Sequence, residues 1–569
     1  MSVIKLIDAL NIVKTAPRQE AQALNVYLVC GYTPLHMQTF LTAHLQLRSP
    51  DRSVQVQTGL YGDIAGNLER AAEAGRDAVA LVLEWPDFDP RLGIRAAVSR
   101  TPSLEELQDS ISRKAQLIQH VIETRLPNTT IAVSLPTIAA RTDVAQPCWL
   151  TTGLETMLTR CIADFKTWAL GHKSVRVLSS QRLDALSPSN IRSDVRSEMT
   201  AGFPYQLHHA SVVADLLSRL IRPPLAKKGL ITDLDDTLWS GIVGEVGVEG
   251  ISWSLERNSH THALYQQQLR TLAGAGAFVA VASKNDPDVV QQAFRRSDLL
   301  LDANQMFPVE VSWGPKSEAV RRILQAWNVG SDSVVFVDDS PMELGEVQSA
   351  FPEIECLPFP KNDPQACIEL FDQLRDLFGK NAISVEDTLR VESVRTPAVL
   401  TKEFLEDSEA EITFSDIKDP SDSRPLELIN KTNQFNLNGR RFTETEWRVY
   451  LADPATRLLV ASYKDKYGQL GRVSVVGSRA DGDRVSVDFW VMSCRAFSRR
   501  IEHQCLRRLF STTGAGEIHF DFAPTQRNGP LQEFFRGLLD RAPQGRFALS
   551  GGAFERKCPQ LFHTVKELL

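Results

Sequence analysis

Short, continuous apolar runs rich in β-branched residues recur through the first 180 positions: "NVYLVCGY" (25–32), "SVQVQTGLYG" (53–62), "DAVALVLEW" (77–85), "TTIAVSLPT" (129–137) and "SVRVLSS" (174–180). Stretches with helical spacing separate them, clearest at 104–125 and 152–171. Strands apolar on both faces, alternating with helices, predict a parallel sheet covered on both sides. A helix over about 207–222 then runs into "RPPLAKKG", whose Pro, Lys and Gly content reads as a linker. A second α/β segment opens at "GLITDLD" and continues through "AFVAVAS" (277–283) and "SVVFVDD" (333–339). Beyond about residue 380 the pattern changes. A helix over 423–436 precedes "RLLVASYK", "GRVSVVGSR" and "VSVDFWVMS", broken by "KYG" and "ADGD", which predicts an antiparallel meander. A helix at 498–511, the strand "EIHFDFAP" and a helix from Asn528 complete the pattern. The expected domains are 1–224, 225–380 and 381–569.

Composition narrows the classes. A chain of 569 residues exceeds a single ordinary core. Hydrophobic content of 43% with 23% charged residues describes a globular protein. The net charge of −7 and the lack of a long basic run argue against nucleic-acid binding. No stretch reaches the roughly 18 apolar residues of a membrane span, and the charged N-terminal segment has no signal-peptide core. Eight cysteines with no pair at metal-ligand or redox spacing are expected to be free thiols, with the cytoplasm as the location.

The chemistry concentrates in the middle domain. Asp233, Asp235 and Asp236 follow the first strand of "GLITDLDDTLW", Ser283 ends the second, and Asp338 and Asp339 end the third. Polar tips at the carboxyl edge of one parallel sheet converge where open α/β sheets bind ligands. Like charges so placed repel. A hard divalent cation held by oxygen ligands offsets this, so Mg²⁺ is expected on Asp233, Asp235, Asp338 and Asp339. A phosphate substrate suits such a site. Asp233 is the candidate nucleophile. Asp235, crowded by charge and flanked by apolar residues, is the candidate general acid, with its pKa expected to rise. Ser283 can donate to a phosphoryl oxygen, and Lys316, at the helix start marked by Pro315, can stabilise the transferred group. Singly, each piece is more often a surface turn or helix-start residue; their order along the chain joins them.

The succession Asp-x-Asp-x-Thr, Ser, Lys and Asp-Asp resembles the haloacid dehalogenase (HAD) superfamily of phosphohydrolases and phosphotransferases. "DLDDTLWSGIVGE", "ASKND", "WGPKS" and "VFVDDSPMELGEV" resemble the FkbH-like group of HAD subfamily IIIC. "ELINKTNQFNLNGRRFTETE" (427–446) and "FWVMSCRAFSRRIE" (489–502) resemble the C-terminal part of the same proteins, which is similar to GNAT acyltransferases. The resemblance implies a HAD-type Rossmann-like sheet flanked by an N-terminal SGNH/flavodoxin-like α/β domain and a C-terminal mixed α/β GNAT-like domain. It implies phosphate contacts from Thr237, Ser283, Lys284, Asn285 and Lys316. It further implies that a glyceryl group from 1,3-bisphosphoglycerate is dephosphorylated and loaded onto the phosphopantetheine thiol of an acyl carrier protein for polyketide-type biosynthesis. A stand-alone phosphohydrolase acting on a small metabolite is the alternative, and a non-catalytic scaffold the third.

Several positions depart from the family pattern. Asp236 stands where Asn is usual, and Ser240 where the flap has Gly. Coenzyme A binding needs bare backbone N–H groups at a helix start, yet "RAFSRRIE" has no glycine. Arg495, Arg499 and Arg500 could instead meet a pantetheine phosphate or an acidic carrier surface, or simply form a solvated helix face. Cys494, beside Arg495, is a candidate thiol but reads first as a small buried cysteine. "VCGYTPLH" has no Gly-Asp-Ser, with Thr33 near the nucleophile position, so the N-terminal domain is expected to dock or shape substrate rather than hydrolyse esters. His36, His208 and His209 are expected to be structural or exposed.

Overall fold

In the computed structural model, residues 3–15, 23–50, 52–95, 102–140, 147, 149–380, 406–416, 418–466, 468–481, 484–493, 496–497, 499–525 and 528–568 are described. Two compact units emerge, residues 1–224 with 443–446, and 225–442 with 447–569.

The five runs read as strands in the first unit are strands β1 (Leu24–Cys30), β2 (Val54–Thr58), β3 (Ala78–Val82), β4 (Thr130–Ser134) and β5 (Val175–Val177). They pair in parallel, in the order β2-β1-β3-β4-β5. Strands β3 and β4 are buried at every position, because helices cover both faces. Alternate side chains therefore feed two cores. Val26 and Ala80 join one with Phe40 and Val213. Val29 and Leu81 join the other with Ile111 and Phe165.

The second unit carries two sheets. The first consists of β6 (Gly229–Thr232), β7 (Phe278–Ser283), β8 (Val309–Val311), β9 (Val334–Asp338) and β10 (Glu355–Pro358). It is parallel throughout, in the order β10-β9-β6-β7-β8. The chain steps from β6 to β7 and β8 on one side, then returns to place β9 on the other side of β6. The topological switch lies between β6 and β9, and open α/β sheets bind ligands outside the carboxyl ends of such strands. The β6 start is closely packed. Trp327, 1% exposed, stacks on Phe278 with centroids 5.3 Å apart. A Cβ on Gly229 would lie 2.4 Å from the Trp327 ring.

The second sheet is mixed: β11 (Glu411–Ser415), β12 (Thr456–Asp465), β13 (Gly468–Asp481), β14 (Arg484–Met492), β15 (Glu517–Asp521), β16 (Arg546–Ser550) and β17 (Thr564–Leu568). The expected meander is β12-β13-β14, antiparallel throughout. β15 joins β14 in parallel over Val485–Val487, and β11 and β17 extend the other edge. The helix expected over 423–436 stops at Lys431, where Thr432 takes extended backbone. The next residues instead line the sheet, with the Met492 N–H donating to the Phe435 carbonyl at 3.0 Å.

Candidate functional site

Strand pairing brings the acidic residues together. Thr232 pairs with Val337, and the Asp233 N–H donates to the Val337 carbonyl at 3.0 Å, so Asp233 leaves β6 beside Asp338 at the end of β9. Carboxylate oxygens of Asp233, Asp338 and Asp339 lie within 4.8 Å of one another. Asp233 is 6% exposed and Asp338 fully buried. Burial pushes the Asp233 carboxyl above its ordinary range against the pull of Lys316. Burial and then the neighbouring Asp233 charge push Asp338 up to about 7.

Lys316 is the counter-charge. It opens the helix Lys316–Trp327 directly after Pro315, and only 3% of it is exposed. A lysine at a helix N-terminus opposes the helix dipole. Three carboxylates outweigh that cost: Asp233 Oδ1 at 2.9 Å, Asp338 Oδ2 at 2.6 Å, and Glu343. Burial disfavours the ammonium, but Asp233 and Asp338 hold its pKa above the ordinary lysine range. Asp233 Oδ1 is buried and, beyond the ammonium of Lys316 at 2.9 Å, has no hydrogen-bond partner among the described residues. One lysine shared among three carboxylates leaves the trio short of positive charge, and a further cation beside this oxygen would offset the repulsion.

Asp235 stands apart from the trio. Its Oδ1 accepts the Trp239 indole N–H at 2.9 Å and the Val243 N–H at 3.0 Å, and its Oδ2 accepts Asn285 Nδ2 at 2.9 Å. Its side chain was expected among the metal ligands; it is instead committed to the flap and to Asn285, because these three donors claim both oxygens. Among the described residues, Oδ2 accepts from Asn285 alone. Asn285 also donates to Ser283 Oγ at 3.1 Å, tying the ends of β6 and β7 together. Ser283 is 4% exposed and favours the ionised form of Asp233. Thr237, expected at the phosphate, is fully buried, and its Oγ1 accepts the Asp339 N–H at 3.1 Å. It braces the trio. Lys284, also expected at the phosphate, reaches Glu343 at 3.0 Å.

Three participants were not anticipated. Glu343, in the first turn of the helix Pro341–Ala350, sits between Lys316 and Lys284. Burial opposes its ionised form, but the two lysines hold its pKa below the usual range. Lys361 joins Asp236 at 2.6 Å to Asp339 at 2.9 Å. His262 Nδ1 lies 2.9 Å from the Thr237 carbonyl. "PMELGEV" held the signal for Glu343; Lys361 and His262 come from β10's far end and a separate helix, where spacing carries no sign. Asp236 also proves to be structural. It takes the left-handed conformation at φ 52, tolerated by Asp, and its Oδ1 accepts the Gly241 N–H at 2.7 Å. Asp235 and Asp236 thus both anchor the flap that begins at Ser240.

The arginines expected to meet a carrier are engaged internally. Arg499, with 12% of its side chain exposed, sits 3.7 Å from Asp465 and over the Tyr463 ring. Arg500 donates to the Gln560 carbonyl at 2.6 Å. Cys494 and Arg495 lie outside the described residues. In the first unit, His209 is fully buried between Thr137 and Ser187, at 3.0 and 2.9 Å. His36 packs edge-on against Phe203, and the exposed His208 reaches the Leu186 carbonyl. The six cysteines among the described residues are unpaired thiols.

No protein-family model matches the chain, nor does any curated protein. In structure the chain is similar to the N-terminal part of the protein BF1531 from Bacteroides fragilis, which contains a phosphatase domain and was complexed with Mg. The TM-score is 0.53 and the identity 18%, over 67% of this chain and 100% of that one. An uncharacterized protein from Corynebacterium glutamicum matches 27% of this chain and 99% of its own at 16% identity, with a TM-score of 0.18 that carries no structural argument. At 18% identity the first likeness shows the fold: a parallel α/β architecture shared with a protein that contains a phosphatase domain.

Proposed function

We propose that the chain is a Mg²⁺-dependent phosphatase-type enzyme of HAD design, with Asp233 as its nucleophile. The observation that carries this is the placement of Asp233, Asp338, Asp339 and Lys316 together at the switch point of a parallel sheet. The residues fit the cation: the donor set is all oxygen, and six carboxylates at the site (Asp233, Asp235, Asp236, Asp338, Asp339, Glu343) face three lysines (Lys284, Lys316, Lys361). Mg²⁺ on Asp233, Asp338 and Asp339 would offset that excess and let a phosphate dianion approach. The similar Bacteroides fragilis protein was complexed with Mg.

The chain's own residues then divide the work. An Asp233 carboxylate oxygen attacks phosphorus; the new O–P bond forms as the bond to the leaving oxygen breaks. Asp235 supplies the proton to that leaving oxygen through Oδ2 and retrieves one from the water that later cleaves the aspartyl-phosphate. Lys316 neutralises charge on Asp233 and on the transferred group. Asn285 fixes the rotamer of Asp235, and Thr237 fixes the backbone of Asp339.

The finer reading takes 1,3-bisphosphoglycerate as donor and an acyl carrier protein thiol as acceptor. The motif likeness to FkbH-like proteins supports it. The test is intact-protein mass spectrometry of a holo carrier protein incubated with enzyme, Mg²⁺ and the donor, with phosphate release followed in parallel. A glyceryl mass gain on the carrier that disappears in Asp233→Asn is the expected result. Phosphate release without mass gain reduces the proposal to a stand-alone phosphohydrolase, and neither signal overturns it for this donor.

A further inference from the structure

The first unit has its own switch point. The chain steps from β1 to β2 on one side, then places β3, β4 and β5 on the other, so the crevice lies between β1 and β3. At the carboxyl ends of these strands a cavity of about 400 Å³ opens, lined by residues of this unit alone. That is the size of a small-molecule site, at the place where such sheets hold ligands.

Its wall is apolar and aromatic, with Trp85, Phe88, Leu92 and Ile138. Its floor holds two polar groups. Tyr32 is 8% exposed and its buried hydroxyl has no hydrogen-bond partner. The neighbouring Tyr205 hydroxyl spends its proton on Glu84 Oε1 at 2.7 Å, so toward Tyr32 it has only a lone pair to offer. The other is Asp87, whose Oδ2 accepts the Glu84 N–H at 2.8 Å. Its Oδ1 lies over Gly31, where a Cβ would come within 1.6 Å of it, so only glycine leaves this floor intact. Glu84 itself is saturated by the Thr137 and Ile138 N–H groups and the Thr137 and Tyr205 hydroxyls. It shapes the floor and has no need of a ligand. A buried hydroxyl without a partner is unfavourable, and a polar atom of a ligand on Tyr32 relieves it.

Charge selects the class. Lys114, Arg95 and Glu198 line the cavity together with Glu84 and Asp87, so neither sign of charge dominates it. Burial pushes both Glu84 and Asp87 up to about 7, so the floor carries too little charge to hold a cation and supplies no positive charge for an anion. No covalent chemistry is served. The Cys30 thiol donates to the Tyr32 carbonyl at 3.3 Å and is pushed up to about 12 by burial, and His209 is held inside by Thr137 and Ser187.

We propose that this cavity binds a neutral, largely apolar small molecule whose hydroxyl, amide or carbonyl group pairs with Tyr32 and Asp87, and that it does so without turning the molecule over. The test uses the full chain and three probes of one scaffold: 2-naphthylmethanol, 2-naphthoate and 2-naphthylmethylamine, titrated by saturation-transfer NMR. The alcohol is expected to bind, with the carboxylate and the amine each at least about tenfold weaker. Tyr32→Phe should weaken the alcohol about tenfold. Ala139→Trp, at an exposed rim position, should abolish binding and leave the circular dichroism spectrum unchanged. Should Tyr32→Phe fail to fold, the rim variant decides alone. Undiminished binding to Ala139→Trp, carboxylate or amine binding as tight as the alcohol, or no alcohol binding up to its solubility limit would each overturn the proposal.

Discussion

Lys316→Met is the most informative perturbation of the candidate site. The substitution keeps the apolar stem and deletes the ammonium that meets Asp338 at 2.6 Å, Asp233 at 2.9 Å and Glu343. At an effective dielectric of about 20, the Asp233 and Asp338 pairs are each worth about 6 kcal/mol of Coulomb attraction. Desolvation of the buried ions offsets several kcal/mol per ion. What remains on deleting one partner is about 3–5 kcal/mol, because charged groups are left buried and uncompensated. The variant should therefore lose about 3–5 kcal/mol of unfolding free energy without Mg²⁺, read from the urea transition that Mg²⁺ shifts in the parent protein. Mg²⁺ at 100 times its dissociation constant should return about 2.7 kcal/mol. Two further readouts move in opposite directions. Mg²⁺ affinity by calorimetry should rise, since a competing cation is gone. Phosphate release should fall at least about 100-fold, since the transferred group loses its stabilising charge. A urea midpoint unchanged without Mg²⁺, or turnover within about threefold of the parent, would refute the view that Lys316 is the buried counter-charge of this site.

Three other outcomes follow from particular contacts. Asp236→Asn keeps an acceptor for the Gly241 N–H and should leave turnover within about threefold, whereas Asp236→Ala releases the flap and should cost about tenfold and expose 240–250 to limited proteolysis. Gly229→Ala drives a methyl to within 2.4 Å of the Trp327 ring and should destabilise by about 1–3 kcal/mol, read as a lowered urea midpoint. Asp87→Asn tests linkage. Burial holds Asp87 near 7, so between about pH 4 and 7 the folded chain keeps a proton that the unfolded chain releases, and this contribution, full at low pH, is lost as pH rises. His44 and His209, lowered to about 4 and about 3 by burial, act in the opposite sense up to about pH 6.5. The difference between variant and parent isolates the carboxyl: the variant should gain relative stability from pH 4 to 7, by about 4 kcal/mol at most, and a flat difference would contradict the buried assignment.

Strands that are apolar on both faces announce themselves, and β1, β3, β4, β6, β7 and β9 were legible for that reason. The edges were not. β8 has three residues, partly exposed, and β10 four, of which only Leu357 is buried, so neither builds an apolar run. The helix expected to reach 436 failed at Thr432, where side chains at helical spacing serve the sheet instead. At the site, linear order located Asp233, Ser283, Lys316, Asp338 and Asp339 because each ends a strand or opens a helix. Side-chain direction was beyond it. Asp235 lies two residues from Asp233 and was expected to share its metal; the donors that claim it, Trp239, Val243 and Asn285, are visible only in three dimensions.

The crowding of carboxylates at the end of β6 resolves into separate tasks once their partners are known. Asp233 is the buried one, and it alone of the three faces Lys316. Asp235 and Asp236 accept backbone N–H groups at Val243 and Gly241, so their negative charge fixes the segment that follows Ser240. Lys361 then couples Asp236 to Asp339. Flap position and acidic trio are therefore linked through one exposed lysine. Repulsion among the six carboxylates is tolerable because each is tied to donors or lysines that hold them apart, and Asp233 alone of the first three is tied to the buried lysine at the centre of the trio.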